Sequence, residues 1–240
     1  MLGNRLVLAG SLILCIQLLF AYPSDAQDMP APPPEPAGDA IFGVMSIDVA
    51  PSHLGQGIAM LKAYQAAVHK QTGIQSVKVL QQVGWPNRFI VYEQWRDRSA
   101  YDGNQKAAQT VRFCLTLRTI SNATCDRRAY YEVSLGTPRP ESSGALYMMV
   151  HLDVFPAKLR EFFAISKNMA AAARGADGNL RYEVSSGVST PWNYMTLFAS
   201  WRSRKAFDDY ENSEDERAFR EQVAPVLGSP YDQRLYVAVN

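Results

Sequence analysis

Few side chains in this sequence have the type and placement to do chemistry. Its three histidines are His53, His69 and His151, and only His151 falls in a segment that reads as a strand. Imidazole titrates near neutral pH, so a histidine facing a cleft could serve as a general base. A lone histidine is as readily a hydrogen-bonded structural group. Trp95 and Trp201 could stack a planar ligand, or could anchor a strand-to-helix corner by burying large apolar area. Asp48 and Asp153 sit beside turns and are expected to tie those turns down. Arg96, Arg98, Arg202 and Arg204 read as solvated charges at helix starts, paired with Asp102 and Asp208. The histidines and cysteines show no metal-ligand spacing, so no metal is expected. The sequence contains no Ser-His-Asp order, phosphate-binding loop or dinucleotide fingerprint.

Composition narrows the partners. The chain has 240 residues, 47% hydrophobic and 20% charged, which is ordinary for a globular protein. Its net charge is +1 and it has no basic block, so neither nucleic acid nor an anionic surface is an expected partner. The N-terminus is distinctive. Arg5 precedes an apolar run, Leu6–Ala21, and small residues follow at Ser24 and Ala26. This describes a secretory signal peptide over residues 1–26, with a periplasmic or secreted product. The run is shorter than the ~20 residues that span a bilayer, so no stable membrane insertion is expected after cleavage. In an oxidising compartment Cys114 and Cys125 are expected to form a disulfide. A proline-rich stretch, Pro30–Gly38, marks residues 27–40 as an extended linker.

The elements that position these residues occur twice. Val44–Pro51 resembles Met149–Pro156 at an offset of 105 residues, and Gly73 and Pro86 match Gly178 and Pro191 at the same offset. Trp95–Asp102 matches Trp201–Asp208 at an offset of 106, with one added residue near Trp192. A period this long means duplicated domains, here residues 41–135 and 145–240. In the second copy, Leu146, Met148, Val150, Leu152 and Val154 alternate with other residues as a strand does. Pro156 then opens a helix whose buried stripe runs through Leu159, Phe162, Met169 and Ala173. Strands over Leu180–Val184 and Tyr194–Trp201, a helix capped by Ser203, and a last strand over Arg234–Val239 follow. The first copy reads alike: strand Ile41–Val49, a helix from Ser52, strands Gln75–Gln82 and Arg88–Trp95, a helix from about Asp97, and strand Ala129–Val133. The order βαββαβ is the α+β ferredoxin-like unit, with both helices on one sheet face. The other face is also apolar and needs a cover, which the second copy can supply.

Two features give this pattern a likeness. A strand ends in a tryptophan that is followed, after a polar turn, by alanine and an aromatic: Trp95…Ala100-Tyr101 and Trp201…Ala206-Phe207. The first strand also runs into a proline turn, at Val49-Ala50-Pro51 and Val154-Phe155-Pro156. The sequence thus resembles the antibiotic biosynthesis monooxygenase (ABM) domains of the dimeric α/β-barrel superfamily. The resemblance implies two ferredoxin-like units closed into an intramolecular dimeric α/β barrel, a pseudo-dimer within one chain that leaves room for further oligomerisation. It implies a monooxygenase acting on a small aromatic or quinol without a cofactor, so the expected partner is a small hydrophobic or aromatic molecule. Catalytic members often carry a histidine nine or ten residues after the tryptophan. Here that place holds Asn104 or Gln105, and Tyr210 or Glu211. Asn104 is therefore a pocket candidate beside Trp95 and Trp201, while Tyr210 and His151 are the candidates for catalysis. The alternative is a non-catalytic binding or structural module of the same fold.

Overall fold

Along Ile41–Asp48, Arg88–Trp95, Leu146–Asp153 and Tyr194–Trp201 both faces of the strand are largely buried. The computed structural model describes residues 35–134, 136–141, 143–188 and 193–239. The expected leader (1–26), residues 27–34 of the expected linker and the added residue near Trp192 lie outside them. The first half contains β1 (Ile41–Asp48), α1 (Leu54–Val68), β2 (Ile74–Gln82), β3 (Arg88–Trp95), α2 (Arg98–Lys106), α3 (Ala108–Leu117) and β4 (Asp126–Ser134). The second contains β5 (Leu146–Asp153), α4 (Leu159–Gly175), β6 (Asn179–Gly187), β7 (Tyr194–Trp201), α5 (Arg204–Glu211), α6 (Glu214–Val223) and β8 (Asp232–Ala238). Pro51 and Pro156 open 3₁₀ turns just ahead of α1 and α4. Among the described residues no helix is long and apolar enough to cross a membrane.

The single helix expected after each tryptophan is two helices. In the second half the cause is local. Ser213 accepts a hydrogen bond from the Glu216 amide and starts a new helix with an acidic first turn. Ser213-x-x-Glu216 is a capping-box spacing, and the acidic turn suits the positive end of the helix dipole. In the first half the break falls at Ala107, extended at φ −62°, ψ 132°, and no side chain caps α3.

The eight strands close into one antiparallel barrel in the order β1-β3-β2-β8-β5-β7-β6-β4. Two seams join the halves: β2 to β8 through Leu80–Gln82, and β4 to β6 through Tyr130–Ser134. The helices cover the outside, giving one core per half. A third core fills the lumen with Phe42, Val44, Ile90, Tyr92, Tyr147, Met149, Phe198 and Tyr236. Tyr92 and Phe198, which are equivalent in the two halves, stack across the lumen at 3.9 Å and 9°. The barrel is therefore the expected pseudo-dimer, with its pseudo-twofold axis passing between those two rings.

The lumen also holds buried charge. The Arg181 Nε donates to Glu183, and its Nη2 to Gln94 at 3.2 Å. Tyr92 Oη donates to Glu183 at 3.1 Å, and the guanidinium lies over the Phe42, Tyr92 and Phe198 rings. Glu132 lies beside this pair. Burial, reinforced by the neighbouring Glu183 carboxylate, pushes Glu132 up to about 9. Its carboxyl holds its proton to a higher pH in the folded protein than in the unfolded chain, even with Arg181 3.9 Å away. Its contribution to stability is thus full below the ordinary carboxylate range and is lost as pH rises toward 9. Glu132→Gln, a neutral isostere, should flatten that loss, so the variant gains on the wild type between pH 5 and pH 9 in urea unfolding.

Two turn glycines are equally specific. Gly73 and Gly178 have φ of +88° and +76°, and an added Cβ would sit 2.6 Å and 2.5 Å from the Cβ atoms of Ala100 and Ala206. Gly178→Ala combines left-handed strain with overpacking and should cost about 2–4 kcal/mol in urea unfolding.

Candidate functional site

The constellation best built for chemistry lies in the first half, between sheet and helices. On β3, Val91, Glu93 and Trp95 share the helix-facing side, and Glu93 is only 3% exposed. A buried carboxylate needs partners, and Glu93 has them. On α1, Leu61, Tyr64 and Val68 recur on the buried stripe, and Tyr64 Oη donates to Glu93 Oε1 at 2.8 Å. Trp95 Nε1 donates to Oε2 at 3.0 Å. Asn104 Nδ2 reaches within 3.5 Å of the same oxygen, and Asn104 is oriented by Thr110 Oγ1, which donates to its Oδ1 at 2.9 Å. Thr110 stands beyond the Ala107 break, so the break itself shapes the site. Phe113 stacks on Tyr64 at 4.2 Å and closes the outside.

Burial raises Glu93, while the Trp95 and Tyr64 hydrogen bonds hold that rise in check. Burial also pushes Tyr101 up to about 12 and raises Tyr64, so both phenols stay protonated donors. A crevice too narrow as it stands to hold a water molecule runs from Glu93 past Gly43, Met45, Tyr101, Gln105 and Arg127. Gly43 keeps this space open, since a Cβ there would lie 3.0 Å from the Tyr101 ring. Arg127 Nη2 and Gln105 Nε2 are buried and have no hydrogen-bond partner. Two unpartnered donors thus line the crevice that Glu93, a carboxylate poised toward neutrality, also lines. The arrangement can take a proton at one end and hold an anionic oxygen at the other.

The second half has the same frame with different contents. Ala199, Met169, Tyr210, Glu216, Phe207 and Gln233 replace Glu93, Tyr64, Asn104, Thr110, Tyr101 and Arg127 at the repeat offset. Tyr210 stacks on Trp201 at 4.5 Å, and its Oη meets Met169 Sδ at 3.2 Å. Burial, reinforced by Glu216, raises Tyr210. Trp201 Nε1 is left buried without a partner. A surface cleft of about 270 Å³ lies between α4 and α6, beside Met169 and Phe219.

The structure places the candidate residues in three separate surroundings. Trp95 and Asn104 meet at Glu93, whereas Trp201 and Tyr210 pack together in the other half. His151 lies on the lumen side of β5, its Cα paired with Thr196 and Asp232, across the sheet from Tyr210. Burial first, then Arg234, brings its imidazole down to about 4. Cys114 and Cys125 are joined in a disulfide, with Cα atoms 5.7 Å apart. Asp48 accepts from Asn87 at 2.8 Å and Asp153 from Asn193 at 2.8 Å, tying both turns. Arg98–Asp102 and Arg204–Asp208 are exposed helical pairs.

The sequence profile of the antibiotic biosynthesis monooxygenase family matches residues 41–114 and again 145–222. The chain belongs to that family. No curated protein matches it in sequence. Among solved structures, this ABM chain is similar to a candidate monooxygenase from Fusobacterium nucleatum, with a TM-score of 0.72 and 12% identity over 85% of this chain and 94% of that one. A candidate monooxygenase from Lactobacillus acidophilus gives 0.64 and 13% over 83% and 94%. An anthrone oxidase-like protein gives 0.68 and 14% over 85% and 93%. At these identities the likeness is one of fold, and it extends over both ABM repeats.

Reasoning from the sequence passed over Glu93, Tyr64 and Arg127, and named Gln105 only as the alternative to Asn104 at the family's histidine place. A signal for Glu93 existed. It shares strand parity with Val91 and Trp95, so it is an ionisable residue on the side that faces the helices, where the second repeat has Ala199. Tyr64 and Glu93 also change together between repeats, to Met169 and Ala199. Tyr64→Phe should cost about 1–2 kcal/mol, and Glu93→Ala more, because it orphans two buried donors. A double-mutant cycle in denaturant unfolding should return a coupling of about 1 kcal/mol or more between the two.

Proposed function

We propose that this ABM protein is an exported, cofactor-independent monooxygenase of small aromatic or quinol substrates, with the first repeat as its working half. The observation that carries the reading is the crevice in which the raised Glu93 carboxylate shares the walls with the unpartnered donors of Arg127 and Gln105. Glu93 takes a proton from the activated C–H of a phenolic or ketonic ring. The charge moves onto the ring oxygen, where Arg127 and Gln105 meet it. The carbanion reduces dioxygen, the two combine as a hydroperoxide on the ring carbon, and loss of water leaves a new carbonyl. The overall balance is a CH₂ and O₂ converted to a C=O and water. The protein supplies a base, an anion cradle and exclusion of water. Productive pockets run to roughly 300 Å³ or more, so the crevice must widen on binding. The uncapped α3, which follows the break at Ala107 and buries only Thr110 and Leu117, is the segment proposed to move.

Export agrees with the N-terminal pattern and with the Cys114–Cys125 disulfide, which an oxidising compartment maintains. A second reading, a non-catalytic binding or structural module, is favoured by the narrowness of the crevice and the filled second repeat.

Oxygen uptake with anthrone and quinol substrates tests both. Glu93→Gln should lower the rate by about 10²-fold or more, and Arg127→Gln by about 10-fold or more. His151→Ala and Tyr210→Phe form the comparison arm. A rate that falls with either of these and not with Glu93→Gln moves the chemistry to the lumen or to the second repeat. Uptake absent from the wild type with every substrate, alongside measurable binding, would establish the module.

A further inference from the structure

We infer that the Cys114–Cys125 disulfide is a redox latch on the cover of the first repeat's crevice. The bond ties two walls of one site. Cys114 lies on α3 next to Phe113, whose ring stacks on Tyr64, and one turn after Thr110, which orients Asn104. Cys125 lies two residues before Arg127, which lines the crevice from β4. The latch therefore holds the helix that closes the site against the strand that carries Arg127, whose Nη2 has no hydrogen-bond partner.

Beyond the Phe113 stack and the Thr110 bond, little else holds α3. It starts without a side-chain cap, buries only Thr110 and Leu117, and leaves Val111 45% and Leu115 57% exposed. Its counterpart α6 is capped by Ser213 and buries Glu216, Phe219 and Val223. The positions equivalent to the two cysteines in the second repeat are Arg220 and Tyr231, at an offset of 106. These two are also in contact, with the guanidinium 3.7 Å from the ring centroid. Both repeats thus clip the same helix to the approach of the same strand. One clip is covalent and can be cut by a thiol; the other is a cation–π contact indifferent to redox state. The cleavable clip sits on the repeat whose crevice carries the unpartnered donors.

Both cysteines are half-buried, within reach of a small thiol. A dithiol reductant supplies the two electrons and two protons. Its thiolate attacks one sulfur to give a mixed disulfide, and its second thiol resolves this into two free cysteines and an oxidised, cyclic reductant. Reduction then frees α3 locally, in the manner of a low-stability unit. That the opened crevice is a reaction site rests on the function proposed above; the latch itself does not.

Hydrogen exchange on the full chain, with and without dithiothreitol, tests it. Amides of residues 104–117 should exchange roughly tenfold or more faster when reduced, while residues 214–223 stay unchanged. Arg220→Cys with Tyr231→Cys should transfer thiol sensitivity to residues 214–223. Cys114→Arg with Cys125→Tyr should leave residues 104–117 protected and unresponsive to thiol. Equal protection in both redox states overturns the latch. A loosening of both helices together also overturns it, because the disulfide would then staple the whole fold. None of these readouts needs turnover, so a protein with no oxidase activity can still pass or fail.

Discussion

A four-stranded sheet that is apolar on both faces and covered by helices on one cannot stand alone in water. That constraint governs this molecule. An isolated first repeat would expose Phe42, Val44, Ile90, Tyr92 and Tyr130 on its bare face, each worth about 2 kcal/mol when buried. It would also leave β2 and β4 as open edges, templates for pairing with other chains. Closing the barrel resolves both problems at once, because the same two edges become the seams to β8 and β6.

Closing it within one chain has a second consequence. In a homodimer every substitution near the axis appears twice. Here equivalent positions diverge freely. Glu183 and Arg181 correspond to Lys78 and Ser76, and Glu132 corresponds to Ala238. The lumen thus holds one Arg181–Glu183 pair with one Glu132 beside it, where a symmetric dimer would crowd two such sets around the axis. The stacked Tyr92 and Phe198 show the same freedom: the phenol of one hydrogen-bonds to Glu183, and the other has no polar atom to satisfy. Outside the barrel, the second repeat gave up the Tyr64–Glu93 pair for Met169 and Ala199 and filled the space with Tyr210. One repeat now carries a polar crevice and the other a packed core.

The architecture was legible because its signals are periodic and doubled. Period-two strands, stripes on helices and the matched turn glycines recur at a nearly constant offset of 105 to 106 residues, so a weak pattern became a strong one. The split helices were less so. The Ser213-x-x-Glu216 capping box was readable, while the Ala107 break has no cap to announce it. The site was half legible. Trp95 and Asn104 carried a recognisable pattern. Glu93 did not, because an acidic residue in a strand ordinarily marks the wet face, and only its parity with Val91 and Trp95 reverses that. His151 is hard to place from sequence for a related reason. Its parity places it opposite Leu152, which in a single sheet is solvent or cleft and in a closed barrel is lumen.

The site's chemistry and its closure are one property. Glu93 sits above the ordinary carboxylate range because water is kept from it, and water is kept out by Phe113 on Tyr64 and by α2 and α3 across the crevice. An opening wide enough for a ring would admit water and return the carboxyl toward its usual strength as an acid. A working base here must therefore see a closed site around the substrate and an open one before it. The cheapest element to move is one with few buried side chains and no cap, which describes α3. Moving α1 instead would uncover Leu61 and Val68, both fully buried in the core, and a shift of β3 would break the barrel. Moving α3, with two buried side chains and no cap, would disturb the core less than moving α1 or β3, and α3 is the helix that the disulfide restrains.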